Sequence, residues 1–493
     1  MENEMIKFQA EIANPNPKST INSYRSFGYN LSTAIADILD NSISAKSSII
    51  EIESYWDGMD SYIYYQDNGI GMNLEELLIA MTPGSKDPEE ERNETDLGRF
   101  GLGLKTASFS QCKRLTVITK KKGYSTIKRC WDIDFINEHQ KWLLLDYVSD
   151  SKFLDIIDNH ESGTIILWEK LDRIVGNSTR ENEMVKNAFY RELSNVKEHL
   201  GLVFHKFLES KKLKIVFNSF EVEPYNPFLL NIHPLPRRGQ TEIFDGNVEV
   251  TYFILPHMSS IDFELYEKTG GPLGWYNQQG FYIYRGDRLL VGGDWLGLES
   301  KKEYSKLARI EIKFSNLSDF GWQLDIKKST ANPPLSIRRE LARIAKIAIK
   351  ESAKIYNYRG QHSTFNIGTN EVVEKLWFDK LNSEGIKKYR INKKHPIIKE
   401  ILNNKEIGKL FTRALRLIED NVPLDLILYN QNEDPSFHEL EKKLEIPSDE
   451  LIQLAVDLYK IYIGQGVPKE LASQQILNCV PFNLYPSISI YLK

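Results

Sequence analysis

Between residues 31 and 45 the segment LSTAIADILDNSISA sets Ile35, Ile38, Leu39 and Ile43 at helical spacing, and the same geometry gathers Asp37, Asn41 and Ser44 on the opposite face. The spacing predicts an amphipathic helix. Two runs rich in β-branched and aromatic residues follow, SIIEIESYW and SYIYYQ, and Asp57–Gly58 between them is a hairpin signal. A second helix is expected over roughly 73 to 81. The stretch MTPGSKDPEEERNETDLGRFG carries Pro, Gly and charge without an apolar period, so a mobile loop is expected there. Further strands are expected at 115 to 119, 126 to 133 and 163 to 168.

Near residue 211 the pattern resets, because KKLKIVFNSFEVEPYNPF reads as strand, turn and strand. A second α/β unit is expected from there to about 340, with VEVTYFIL, GFYIYRGDRLL and ARIEIKF as its strongest strands and KKSTANPP at its end. The chain then turns helical with SIRRELARIAKIAIKESAKIY, and about the last 130 residues mix helices with polar loops and carry no readable motif. At 493 residues the chain exceeds one compact core. Three domains are expected, over 1–205, 206–340 and 341–493, the last mainly helical.

Composition changes this picture little: 41% hydrophobic and 27% charged residues are those of an ordinary globular chain. No run approaches the roughly 18 apolar residues of a membrane span, and MENEMIKFQAEI has acids where a secretory leader has basic residues. A cytoplasmic protein with no membrane partner is expected. Cys112, Cys130 and Cys479 lack metal-ligand spacing and read as buried thiols in a reducing compartment. The net charge of -5 argues against a chain that coats nucleic acid over its whole surface. The short basic clusters at Lys120–Lys122, Lys211–Lys214, Arg237–Arg238 and Lys393–Lys394 read first as solvated faces.

Chemistry enters with Asp37, which precedes Asn41 by one helical turn. An amide oxygen can ligate Mg2+ while a neighbouring carboxylate deprotonates a water aimed at a terminal phosphate. Taken alone the pair is weak, since acid and amide at that spacing are common on exposed helices. Next, Asp67-Asn68-Gly69-Ile70-Gly71-Met72 follows a strand, where an aspartate can accept from an exocyclic amine such as that of adenine and glycines admit a flat ring. An ordinary Asp-rich turn is the plainer reading. Then Gly98-Arg99-Phe100-Gly101-Leu102-Gly103-Leu104-Lys105-Thr106 closes the loop and opens a helix, so backbone amides and a lysine converge where phosphates could sit.

Their order is the specific signal. Acid and amide on a helix, DNGIGM after a strand, a loop, GRFGLGLKTAS, and Ser162-Gly163-Thr164-Ile165 at a strand start together resemble the four ATP-site boxes of the GHKL superfamily over roughly residues 20 to 170. That resemblance implies a Bergerat-fold α/β sandwich with ATP and Mg2+ as its cofactors. It makes Asp37 the general base, Asn41 the Mg2+ ligand and Asp67 the adenine reader, with Gly69, Gly71 and Met72 beside the base. Gly98, Gly101, Leu102, Gly103, Leu104, Lys105 and Thr106 would hold the phosphates, and Thr164 would fix Asp67 or a water beside the adenine. ADILDNSISA looks like the box of MutL and MORC-type ATPases, above all the MORC-like proteins of prokaryotes. It departs from their pattern twice. Asp37 is one methylene shorter than the usual glutamate, which implies a closer water or slow turnover. Ser44, also placed in the pocket, stands where many relatives have aspartate.

GFYIYRGDRLLVGGDW followed by GWQLDIKKSTANPP resembles the transducer domain of the same branch, whose loop lysine reaches the terminal phosphate. Lys328 takes that role, with Lys327 in reserve because neighbouring strand residues face opposite ways. The resemblance further implies a homodimer formed on ATP binding, a clamp on DNA, and protein partners in a restriction-modification or antiphage defence system. A nucleotide-sensing scaffold with little turnover is the alternative. A histidine-kinase reading lacks a histidine before His139, and a heat-shock chaperone reading fits the transducer-like segment less well.

Overall fold

The computed structural model describes residues 15–85, 103–245, 247–257, 260–261, 263–314, 322, 331–362, 376–381, 387–404, 407–422, 447–479, 481–482 and 485–492. Residues 1–359 form one compact unit and residues 360–493 another.

The first unit opens with α1 (Pro17–Arg25) and α2 (Leu31–Ser44), the hairpin β1 (Ile49–Tyr55) and β2 (Tyr62–Asp67), and α3 (Leu74–Met81). It continues with α4 (Gly103–Gln111), β3 (Arg114–Lys120), β4 (Ile127–Asp132), α5 (Ile133–His139), α6 (Lys152–Asp158) and β5 (Gly163–Glu169). Two more helices, α7 (Glu183–Val203) and α8 (His205–Glu209), lead to the strands β6 (Lys214–Phe217) and β7 (Phe220–Glu221). These make a seven-stranded sheet in the order β4-β3-β5-β2-β1-β6-β7, antiparallel except where β6 runs parallel to β1. Alternation along β5 shows the layering. Ile166 and Trp168 face the core that contains α2, α4 and α7, while Ile165 and Leu167 face Phe153 and Ile157 of α6. A strand covered on both faces is expected to be apolar throughout, as this one nearly is.

Helix α2 begins at Asn30, whose side chain accepts from Thr33 N at 2.8 Å. Its apolar residues Leu31, Ala34, Ile35, Ala36, Ile38 and Leu39 are all buried. Asp37, Asp40 and Ser42 are buried as well, while Asn41 is exposed, and carboxylates so placed must be held by donors.

A second sheet holds β8 (Arg237–Arg238), β9 (Glu242–Phe244), β10 (Val248–Ile254), β11 (Gly280–Arg285), β12 (Arg288–Asp294) and β13 (Ala308–Phe314). Its order is β12-β11-β13-β10-β8, with β9 also on β10. Two short helices, α9 (Phe263–Thr269) and α10 (Gly274–Asn277), lie between β10 and β11. The long α11 (Leu335–His362) lays Ile337, Leu341, Ile344, Ala345 and Ala348 into the core under this sheet. Strands β6 and β7, expected at the head of the second α/β unit, join the first sheet instead, so the second sheet starts at β8.

The unit from 360 to 493 contains the hairpin β14 (Trp377–Leu381) and β15 (Lys387–Ile391), with helices α12 (Pro396–Asn403), α13 (Gly408–Asp420), α14 (Asp449–Gly464) and α15 (Lys469–Leu477). Ala455, Leu458, Ala472, Ile476 and Phe482 form one of its small cores. Helices dominate, as expected, and the hairpin is an addition to that expectation. Among the described residues, no helix is long and apolar enough to cross a membrane, and Cys112, Cys130 and Cys479 are buried and form no disulfide.

Candidate active site

Asp37 is 3% exposed, and the Tyr29 hydroxyl donates to its Oδ2 at 2.6 Å. One turn on, Asn41 is exposed and its Nδ2 donates to the Asp37 carbonyl at 3.2 Å. With the nitrogen end so engaged, the amide presents its oxygen outward, which is the end a hard cation needs. Ser44 behaves differently. Its hydroxyl turns back along the helix to Asp40 O at 2.9 Å.

Asp67, at the end of β2, is surrounded by donors. Ser42 Oγ donates to its Oδ2 at 2.7 Å and Gly69 N to its Oδ1 at 2.9 Å, and the Thr164 backbone N–H also points at the carboxylate. The β2–β5 register places Thr164 directly opposite Asp67. Burial is the largest influence on this carboxyl and raises its pKa from the ordinary value, while the three hydrogen bonds pull against that rise. A second chain of bonds ties the turn to the sheet: Thr119 Oγ1 accepts from Met72 N at 3.0 Å and lies 3.0 Å from Thr164 Oγ1. Gly71 sits at φ +65, and a Cβ there would meet Lys120 O at 1.9 Å. Only glycine fits both the backbone angle and that approach.

The helix α4 starts at Gly103, and a Cβ on that residue would lie 3.7 Å from Asp37 Oδ2. The acid of α2 therefore faces the amino end of α4, where unsatisfied N–H groups favour anions. Leu104 is partly buried against the core. Lys105 is 2% exposed and donates to Ala80 O at 2.9 Å near the end of α3. Thr106 is fully buried, with its hydroxyl 3.4 Å from Gly103 O. Gly98, Gly101, Leu102, Lys327, Lys328 and most of the loop at 82–97 lie outside the described residues.

Residues 29–164 match the family model described as histidine kinase-, DNA gyrase B-, and HSP90-like ATPase. The chain carries a GHKL ATPase domain. Within it, Asp37 lies beside Gly103, Ser42 bonds Asp67, and Thr164 stands opposite Asp67 in the sheet. The chain is also 32% identical over 94 residues to "ATPase morc-1" of Caenorhabditis elegans, a match spanning 19% of this chain and 11% of that protein. A solved structure of the ATPase and transducer domains of DNA topoisomerase II from Balamuthia mandrillaris aligns at 14% identity, covering 67% of this chain and 86% of that one with a TM-score of 0.37.

The GHKL domain also uses residues that its motifs do not name. Tyr29, Ser42 and Thr119 hold Asp37, Asp67 and Met72, respectively. One signal was available for Ser42: a buried aspartate demands donors, and a small hydroxyl residue on a helix packed against its strand is a natural source. The Lys120–Lys122 cluster is neutralised in place by Asp158, Glu76 and Glu161. Among the described residues, no cluster of His, Cys, Asp and Glu forms a separate metal site.

Proposed function

We propose that the GHKL domain binds ATP with Mg2+ and hydrolyses it, and that the cycle switches the chain between monomeric and N-terminally dimerised states. The observation that carries this reading is the placement of Asp37 Oδ2 against Gly103 at the head of α4, since a buried acid at a phosphate-binding helix end is placed to act on water beside the terminal phosphate. Asp67 accepts from the adenine amine, held in place by Ser42, Gly69 and Thr164. Asn41 offers the oxygen that ligates Mg2+, and the ion when bound neutralises phosphate charge. Asp37 takes the proton from the attacking water. The shorter aspartate is compatible with slow turnover, which suits a timed switch.

In this reading Lys328 of the second domain acts at the terminal phosphate. The mechanical output is a clamp on DNA serving a defence system. Support for that last step is the likeness of ADILDNSISA to the box of prokaryotic MORC-like proteins.

The test is Mg2+-dependent ATP hydrolysis by wild type and Asp37→Ala, each with and without DNA at two salt concentrations. Asp37→Ala should bind a non-hydrolysable ATP analogue and release no phosphate. Unchanged turnover in that variant would remove Asp37 from its role, and no nucleotide affinity in the wild type would remove the whole reading. DNA stimulation that fades as salt rises supports the clamp. Its absence at low salt counts against it.

A further inference from the structure

We infer that Tyr29 is a positioning residue for hydrolysis, one that holds the carboxylate of Asp37 in register with the amino end of α4. The inference rests on the role proposed for Asp37 above. Tyr29 precedes α2 and is 8% exposed, with its ring in the main core. Its hydroxyl donates to Asp37 Oδ2 at 2.6 Å, at the short end of O–H···O bonds. Its backbone carbonyl accepts from Gln111 Nε2 at 3.3 Å, and Gln111 is the last residue of α4. One residue therefore bridges the helix that carries the acid and the helix whose first residue faces that acid.

This bridge matters because of the side chain it holds. An aspartate on a helix has two torsions, and packing on α2 sets the first. The second, terminal torsion is soft, so a single strong bond to Oδ2 is enough to select it. The same oxygen lies on the side of Gly103. A glutamate would reach farther and could adjust its pose with a third torsion. The shorter acid has no such freedom, and its attack geometry depends on how Tyr29 turns it. Catalytic rates are sensitive to misplacement of this size.

Tyr29→Phe removes the hydroxyl and keeps the ring. Three quantities are read on full-length wild type and variant: kcat and KM for Mg-ATP, affinity for a non-hydrolysable ATP analogue, and the thermal midpoint. The expected result is a kcat lower by about ten- to a hundred-fold with analogue affinity unchanged. An unchanged kcat overturns the inference. So does a variant that no longer binds the analogue or loses affinity in step with its thermal midpoint, since Tyr29 would then belong to the fold and not to the reaction. Asp37→Ala is run alongside. If that variant is inactive while Tyr29→Phe is fully active, only this inference fails. If wild type itself turns nothing over, the base assignment and this inference fall together.

Discussion

Arg288, the first residue of β12, donates to Asp40 of α2 at 2.8 Å, and the two side chains are 5% and 1% exposed. The guanidinium also lies 4.8 Å from the ring centroid of Phe204. The pair therefore crosses from the second sheet to the helix that carries Asp37 and Asn41, and Asp40 is the residue next to Asn41. A second polar link at the same seam joins Lys206 to Glu311 at 2.8 Å. Breaking a buried pair from one side leaves a charge without its counterpart, at a cost of roughly 3 to 5 kcal/mol. Arg288→Ala is expected to lower the urea midpoint accordingly, and Arg288→Met combined with Asp40→Leu to recover most of the loss. Equal midpoints for wild type and Arg288→Ala would show that the contact carries no net stability.

Gly71 and Gly123 both have positive φ, +65 and +85, but a Cβ on Gly71 would strike Lys120 O at 1.9 Å whereas one on Gly123 meets nothing within 4 Å. Alanine at Gly123 pays only the left-handed backbone penalty of about 1 kcal/mol. Alanine at Gly71 must also displace the strand that the Met72–Thr119 bond ties to the turn proposed to hold adenine. Gly71→Ala should therefore lose nucleotide affinity and lower the denaturation midpoint, while Gly123→Ala retains wild-type affinity. Comparable affinity in the two variants would contradict the close approach.

Two serines on α2 separate in the same way. Ser42 donates to Asp67 at 2.7 Å, whereas the Ser44 hydroxyl is spent on Asp40 O. Ser42→Ala removes a donor from a buried carboxylate, a change of about 1 to 3 kcal/mol. Weaker binding of an adenine nucleotide is the expected result, with a smaller effect for Ser44→Ala. Calorimetric titration of both variants decides it, and the opposite ranking would move the adenine contact away from Asp67.

How far these features were legible depends on whether they are local. The helix expected over 31–45 spans Leu31–Ser44, and the hairpin signalled by Asp57–Gly58 is the β1–β2 pair. Asp67 ends β2 and Thr164 lies near the start of β5, positions that were readable because strand ends and turn glycines leave a short-range signature. The burial of Asp40 was not legible, since apolar periodicity counts stripes and its partner Arg288 is 248 residues away. Nor was the attachment of β6 to the first sheet: a parallel pairing with β1 requires a long crossover, and the strand pattern of KIVF says nothing about which edge it will join. The Lys105 contact with Ala80 O was likewise not legible, since it joins two helices 25 residues apart in sequence.

His205, at the seam between the sheets, supplies a pH dependence whose sign is fixed by its burial. The ring is fully buried, lies 2.8 Å from Leu202 O through Nδ1, and has its pKa pushed from 6.5 down to about 4, chiefly by desolvation. Above pH 6.5 neither the folded nor the unfolded chain protonates it, so its contribution to stability is fully present. Below that pH the unfolded chain takes up a proton that the folded chain refuses, and stability falls until the pH reaches about 4. The slope from one such group is at most about 1.4 kcal/mol per pH unit. Carboxylates add their own dependence toward the acid end, so the comparison must be made against a variant. Urea midpoints for wild type and His205→Gln are expected to converge as the pH is lowered from 7.5 to 5, because glutamine cannot be protonated and loses nothing on that path. A constant gap between the two proteins across this range would mean that the buried ring protonates as readily folded as unfolded.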